Sequence, residues 1–335
     1  MFLNPWSVAL TLLSAVALFL IGMAGKTALS VLRFWDPASD GPRQIRLENE
    51  TWLSSTLVQY ALGFQILSLF LFAAAADNFS QVISGAMCAT GALTANPFGM
   101  PALYLKIVGV FVYGFWIVIH HLDISSERYP LLTVKYIMLV CLLPLLIADV
   151  AAQTLYIANL KPDIITSCCA VVFGEGGGSE TNLIGVVSQE KVLILFYVTA
   201  LLLAACGHFL FRRISLPLLF ISGGLWLFFV VLSFVAVTAV FSSYVYAMPY
   251  HHCPFCILKT EYGHIGLLIY GTMLLAGFSG MAAALTGLIP ARFGLATAIG
   301  RFQKRAQLAS AILLLVFLAS VSYHFAVYRL LGGEG

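Results

Sequence analysis

Eight apolar stretches, each long enough to cross a bilayer as a helix, decide what this chain can fold into. A spanning helix needs about 20 mostly apolar residues. Such runs occur at 6–25, 55–76, 102–121, 135–157, 191–211, 216–241, 264–288 and 307–328. Unbroken runs of this length read as helices, because barrel strands alternate and are about ten residues long. The sixth run is overlong, with an end anywhere from Phe241 to Met248. Only 9% of the residues are charged, against about 25% in soluble domains. Lipid is therefore the solvent, and the expected fold is all-α: one polytopic integral membrane helical bundle of about eight transmembrane helices. No internal repeat is evident.

The placement of charge gives the expected orientation. The first run has no basic stretch before it, while Lys26 and Arg33 follow it, which suits an uncleaved anchor. Lys26, Arg33, Arg43 and Arg46 follow span one, and Arg128 and Lys135 join spans three and four. Arg212 and Arg213 join five and six, and Arg292, Arg301, Lys304 and Arg305 join seven and eight. These are twelve of the 17 Lys and Arg, all on one side. The positive-inside rule then puts both termini outside.

Five of the seven cysteines fall in the outer connections 77–101, 158–190 and 242–263. Cys88 is in the first, Cys168 and Cys169 in the second, Cys253 and Cys256 in the third. The inner loops contain none. In a bacterial inner membrane these loops face the periplasm, an oxidising compartment. Cys141 and Cys206, inside spans four and five, read as small buried apolar residues. Around Cys88, Ser84, Gly85, Ala86 and Gly91 make a segment too apolar for a freely solvated loop. After Cys168 and Cys169 comes a glycine-rich stretch, 174–179, which reads as a flexible tether.

The third connection reads His251-His252-Cys253-Pro254-Phe255-Cys256. Span seven is expected to begin near Cys256, so that the pair brackets a helix N-terminus. Open backbone N–H groups and the helix dipole there favour thiolate, and the two histidines add charge or accept a proton. Pro254 suits an early helical position. The expectation is a lowered thiol pKa and an activated nucleophile. Ile257 stands where a c-type haem motif needs histidine. A structural disulfide is the plain alternative. Vicinal Cys168 and Cys169 make only a strained ring with each other, and pair more readily with Cys88 or with the Cys-x-x-Cys.

A Cys-x-x-Cys at the outer end of a membrane helix, with further cysteines in another outer loop, resembles the DsbB and vitamin K epoxide reductase families. The resemblance covers about ten residues and the cysteine topology; the helix number and the vicinal pair depart from it. It implies transfer of electrons between thiols of a secreted-side partner and a membrane quinone. Cys253 and Cys256 then match the quinone-proximal pair, and Cys168, Cys169 or Cys88 the shuttle cysteines that meet a periplasmic thioredoxin-like protein.

Other polar residues interrupt the apolar runs. Lys106 in span three and Asp149 in span four lie near the outer ends and are within reach of an ion pair, either a helix clamp or a proton relay. Gln65 and Gln153 are candidate interhelical hydrogen-bond donors. His120, His121, His208, His264 and His324 sit near span ends, and opposed histidines ligate b-type haem. Asp123, Glu127 and Arg128 read as a solvated inner turn. Residues 45–52 read as an interfacial segment, and the basic stretch 301–305 fits a membrane-surface anchor better than a nucleic-acid site, so no nucleic-acid partner is expected. Walker, dinucleotide, zinc-protease and nucleophile-elbow motifs are absent.

Three functions fit these features. The first is a membrane thiol–disulfide oxidoreductase coupling Cys253, Cys256, Cys168, Cys169 and Cys88 to the quinone pool. The second is a Cu or Zn binding or transport protein, with Cys253, Cys256, Cys168, Cys169, His251 and His252 as ligands. The third is a haem-binding or accessory subunit of a membrane electron-transfer complex.

Overall fold

The computed structural model of the chain describes residues 3–36, 41–126, 129–161, 188–248, 251–289 and 294–332. The described residues are all-α. In order they form α1 (Pro5–Phe34), α2 (Pro42–Ser80), the short α3 (Ala89–Thr94), α4 (Gly99–Asp123), α5 (Leu132–Ala158), α6 (Gln189–Arg212), α7 (Leu216–Tyr246), α8 (Ile265–Thr286) and α9 (Leu295–Leu331). All but α3 are long and apolar enough to cross a membrane, as in a polytopic membrane protein. Local signals start several of them. Asn4 accepts from the Trp6 backbone N–H at 3.0 Å, and prolines occupy the first turns of α1, α2 and α7.

The helices outrun their apolar windows. Residues 45–52, expected to lie apart at the interface, are the first turns of α2. The basic residues of 301–305 are helical, because α9 begins at Leu295 rather than near 307. Hydropathy marks the thickness of the lipid slab, whereas helix length follows from uninterrupted backbone hydrogen bonding. The overlong sixth run ends at Tyr246, after a π-helical turn at Val237–Phe241.

The chain forms two compact units. Unit 1 comprises Met1–Ile83, Ala92–Ile164 and Ala291–Ala298. In it α1 packs on α2, α2 on α4, α4 on α5 and α5 back on α1, a closed ring of four helices. Ala17, Ile21, Ala24 and Ala28 of α1 meet Val58, Ala61 and Leu62 of α2, with Trp116, Tyr136 and Leu139 from α4 and α5. Lipid is as apolar as leucine, so close backbone approach at small residues supplies much of the association energy. Gln153 on α5 donates to Leu10 O at 3.2 Å and Ser14 Oγ at 3.0 Å on α1.

Unit 2 comprises Ser84–Gly91, Ile165–Pro290 and Ile299–Gly335. Phe196 of α6, Phe229 and Phe241 of α7 and Phe317 of α9 form an aromatic core, with Phe196 centred 5.3 Å from both Phe229 and Phe241. Helices α7 and α8 meet at Gly280, where a Cβ would stand 2.1 Å from Trp226 Nε1. The missing side chain lets the Trp226 indole lie against the α8 backbone. Cys141 and Cys206 are not buried as expected: Cys141 is exposed and Cys206 half-buried. A thiol is apolar enough to sit on a lipid-facing surface.

Candidate metal centre

Three cysteines from two distant segments of unit 2 meet. The sulfurs of Cys88, Cys253 and Cys256 all lie within 4.8 Å of one another. Cys88 Sγ lies 3.4 Å from Cys253 Sγ, across 165 positions of sequence. All three residues are buried, at 1%, 0% and 7% exposure. Thr90 Oγ1 lies 3.3 Å from Cys253 Sγ. The Cys-x-x-Cys therefore lies beside a third sulfur rather than as an isolated pair.

The turn carrying Cys253 and Cys256 is fixed from α7 and α8. Tyr246, the last residue of α7, donates its hydroxyl hydrogen bond to Cys253 O. Tyr270, in α8, donates to Pro254 O at 2.7 Å. Lys259 Nζ donates to Met87 O at 3.2 Å and so ties the turn to the Cys88 segment. Gly266, in the first turn of α8, is required by packing. A Cβ there would stand 2.8 to 2.9 Å from Ile257 Cγ1, C and O, including the backbone of the residue next to Cys256.

The helix N-terminus expected at the cysteines is elsewhere. Cys256–Leu258 is one 3-10 turn, and α8 begins only at Ile265. Gly263 and His264 both take left-handed backbone, with φ of 61° and 54°. The His264 Nδ1–H holds this bend by donating to Leu258 O at 2.7 Å. The cysteines thus lack the dipole of a long helix.

The thiol chemistry shifts accordingly. Cys256 is held above the ordinary thiol range, first by hydrogen bonding with the Cys253 and Cys88 sulfurs, then by burial. This reverses the expected lowered pKa: in a buried nest of three thiols, ionisation of one leaves its neighbours harder to ionise. A metal cation relieves that conflict by replacing protons with positive charge. His252 is 3% exposed, and neither ring nitrogen has a hydrogen-bond partner. His251 is half-buried with its ring against Tyr246, and burial pushes its pKa down, which favours the neutral form.

The other residues singled out by sequence are dispersed. Cys168 and Cys169 lie outside the described residues. In unit 1, His120 stacks on Trp116 and lies 3.4 Å from Lys135 Nζ through Nδ1, while exposed His121 lies near Gln59. In unit 2, His208 is exposed, His264 is spent on the bend above, and His324 is half-buried beside Tyr323.

Unit 1 holds two buried ion pairs between α4 and α5. Lys106 Nζ lies 3.1 Å from Asp149 Oδ1. Lys135 Nζ lies 2.9 Å from Asp123 Oδ2, and Asp123 Oδ1 accepts from the Leu131 N–H at 2.8 Å. Asp123 is fully buried, not part of a solvated turn, because Lys135 turns inward to meet it. A cavity of about 1070 Å3 opens beside this second pair, with His120, Lys135, Trp35 and Glu48 among its lining. Only a charge deep in an apolar run stands out in sequence, so the pair at the run's edge was missed.

Comparison of the chain with protein families, with curated proteins and with solved structures finds no match.

Proposed function

We propose that this chain is an integral membrane protein that binds a soft metal ion, Cu(I) or Zn(II), at Cys88, Cys253 and Cys256. The carrying observation is the approach of three buried cysteine sulfurs to within 4.8 Å of one another. Three sulfurs at about 2.3 Å from one ion stand about 4 Å apart, a spacing the nest reaches with small side-chain adjustments. Three thiolates suit Cu(I). Zn(II) asks for a fourth ligand; His252, next to Cys253 in sequence and with neither ring nitrogen bonded, does not stand within 4.8 Å of all three sulfurs, so it serves as that ligand only after its side chain turns toward them. The distribution of Lys and Arg along the sequence supports a nest facing the outer, periplasmic side of a bacterial inner membrane.

Metal analysis of protein purified without reductant tests the reading. The expected result is about one copper or zinc per chain, with the three thiols protected from alkylation until the metal is chelated. Metal-free protein whose three thiols alkylate at once refutes it.

One observation favours a second reading. Cys88 Sγ and Cys253 Sγ, at 3.4 Å, are about 1.4 Å short of a disulfide bond. That proximity supports thiol–disulfide exchange of the kind the DsbB resemblance implies, with a quinone as acceptor and a thioredoxin-like protein as partner. A Cys88–Cys253 disulfide whose fraction changes when quinone is depleted decides for it.

A further inference from the structure

We propose that the Lys106–Asp149 pair of unit 1 is a hydrated proton-binding site inside the membrane, with Asp149 as proton acceptor and Lys106 as its fixed counter-charge. The pair is fully buried, and Lys106 Nζ also donates to Ser68 Oγ on α2 at 3.1 Å. The lysine engages Asp149 Oδ1 at 3.1 Å, whereas Oδ2, buried as well, has no hydrogen-bond partner. The acceptor sites of that second oxygen stay open.

More open polar atoms lie on neighbouring turns of α2 and α4. Gln65 lies one turn from Ser68 on the same face of α2, and both its amide nitrogen and its amide oxygen lack partners. Tyr113, two turns along α4 from Lys106, has a buried hydroxyl without a partner. Side chains on a helix lean toward its N-terminus, and Tyr113 does so over Gly109, where a Cβ would stand 2.6 Å from its ring. Gly109 thus clears the way for the phenol to lie back toward Lys106, within electrostatic reach of Asp149. The titratable groups facing the carboxylate are Lys106 and Tyr113 from α4. The groups from α2 are the neutral Ser68 and Gln65, and α1 meets α5 one turn further on through Ser14 and Gln153.

Buried polar atoms without protein partners are satisfied by ordered water when several converge. Water bridging Asp149, Gln65 and Tyr113 supplies the route for a proton. Hydronium gives its proton to a carboxylate oxygen of Asp149 and leaves water; Lys106 stays an ammonium, and no electron moves. Proton relays are one of the roles that ionisable groups held inside membranes serve.

Hydroxyl-radical footprinting and infrared difference spectroscopy of the purified protein test this together. Tyr156 is the internal control: equally buried, but with its hydroxyl donating to Ala92 O at 3.1 Å. Labelling of Tyr113 is expected to exceed that of Tyr156 several-fold and to fall to the Tyr156 level in Gln65→Leu. A pH-dependent protonated-carboxyl band is expected in the wild type and lost in Asp149→Asn. If Asp149→Asn does not fold, the Gln65→Leu comparison stands alone. Tyr113 as protected as Tyr156, or no carboxyl band, overturns the proposal and leaves the pair a dry clamp between helices.

Discussion

Replacing Cys88 by serine isolates the contribution of the third sulfur. Cys88 precedes Cys253 by 165 positions, so an ion shared by the two holds the 84–91 segment onto the turn before α8. An ion that binds only the folded state stabilises it by about 2.7 kcal/mol when its free concentration is 100-fold above Kd. Each kcal/mol moves the midpoint of a unit this size by about 2–4 °C, so buffered Cu(I) or Zn(II) is expected to raise the wild-type melting temperature by about 5–10 °C. Loss of one of three thiolates weakens the ion enough to remove most of that shift at the same free metal. Tryptophan fluorescence in detergent, with metal set by a chelator buffer, reads the difference. Cys141→Ser, an exposed thiol outside the nest, is expected to keep the full shift. An equal shift in Cys88→Ser and wild type, or none in either, refutes the three-sulfur centre.

Other outcomes follow from the same structure. Metal must displace the proton on the raised Cys256 thiol, so apparent affinity rises with pH by about tenfold per unit for each proton released, as competition titration will show. Without metal the sign is opposite. The raised thiol stabilises the folded state fully below an ordinary thiol pKa of about 8.5, and that contribution is lost as pH climbs above it. Gly266→Ala pushes a methyl into the Ile257 backbone and is expected to weaken metal binding more than it lowers stability, which paired binding and melting measurements separate. Gly280→Ala drives a Cβ into Trp226 and costs about 1–3 kcal/mol by overpacking, whereas Gly224→Ala, with nothing within 4 Å, leaves the melting temperature unchanged or raises it. Lys135→Met leaves Asp123 charged and buried at a cost of about 3–5 kcal/mol, and the double variant Lys135→Met/Asp123→Leu recovers most of it.

What the sequence disclosed follows from the range over which each interaction acts. An apolar run of 20 residues carries its own instruction, which is why eight spans are readable without any tertiary knowledge. The polar extension of α9 carries no such mark: it is helical because nothing interrupts its hydrogen bonding. Lys106 and Asp149 are conspicuous because a charge inside an apolar run has no solvent to justify it. Asp123 and Lys135 stand at the edge of their runs, where charge is ordinary, and only the α4–α5 packing shows them buried. The Cys-x-x-Cys is a local pattern, but its environment is not. The bend at Gly263 and His264 detaches it from α8, and the arrival of Cys88 depends on how unit 2 folds. Together these turn an expected activated pair into a buried nest with a raised thiol. Gly109, which gives Tyr113 room to lean back, looks in sequence like any small residue of a membrane helix.

X-ray absorption at the copper and zinc edges, on protein isolated without added reductant or chelator, tests the central claim most directly. The account predicts about one ion per chain with three sulfur neighbours near 2.3 Å, and a reduced sulfur count in Cys256→Ser. An ion coordinated by oxygen and nitrogen alone, or a metal-free protein carrying a Cys88–Cys253 disulfide, contradicts it.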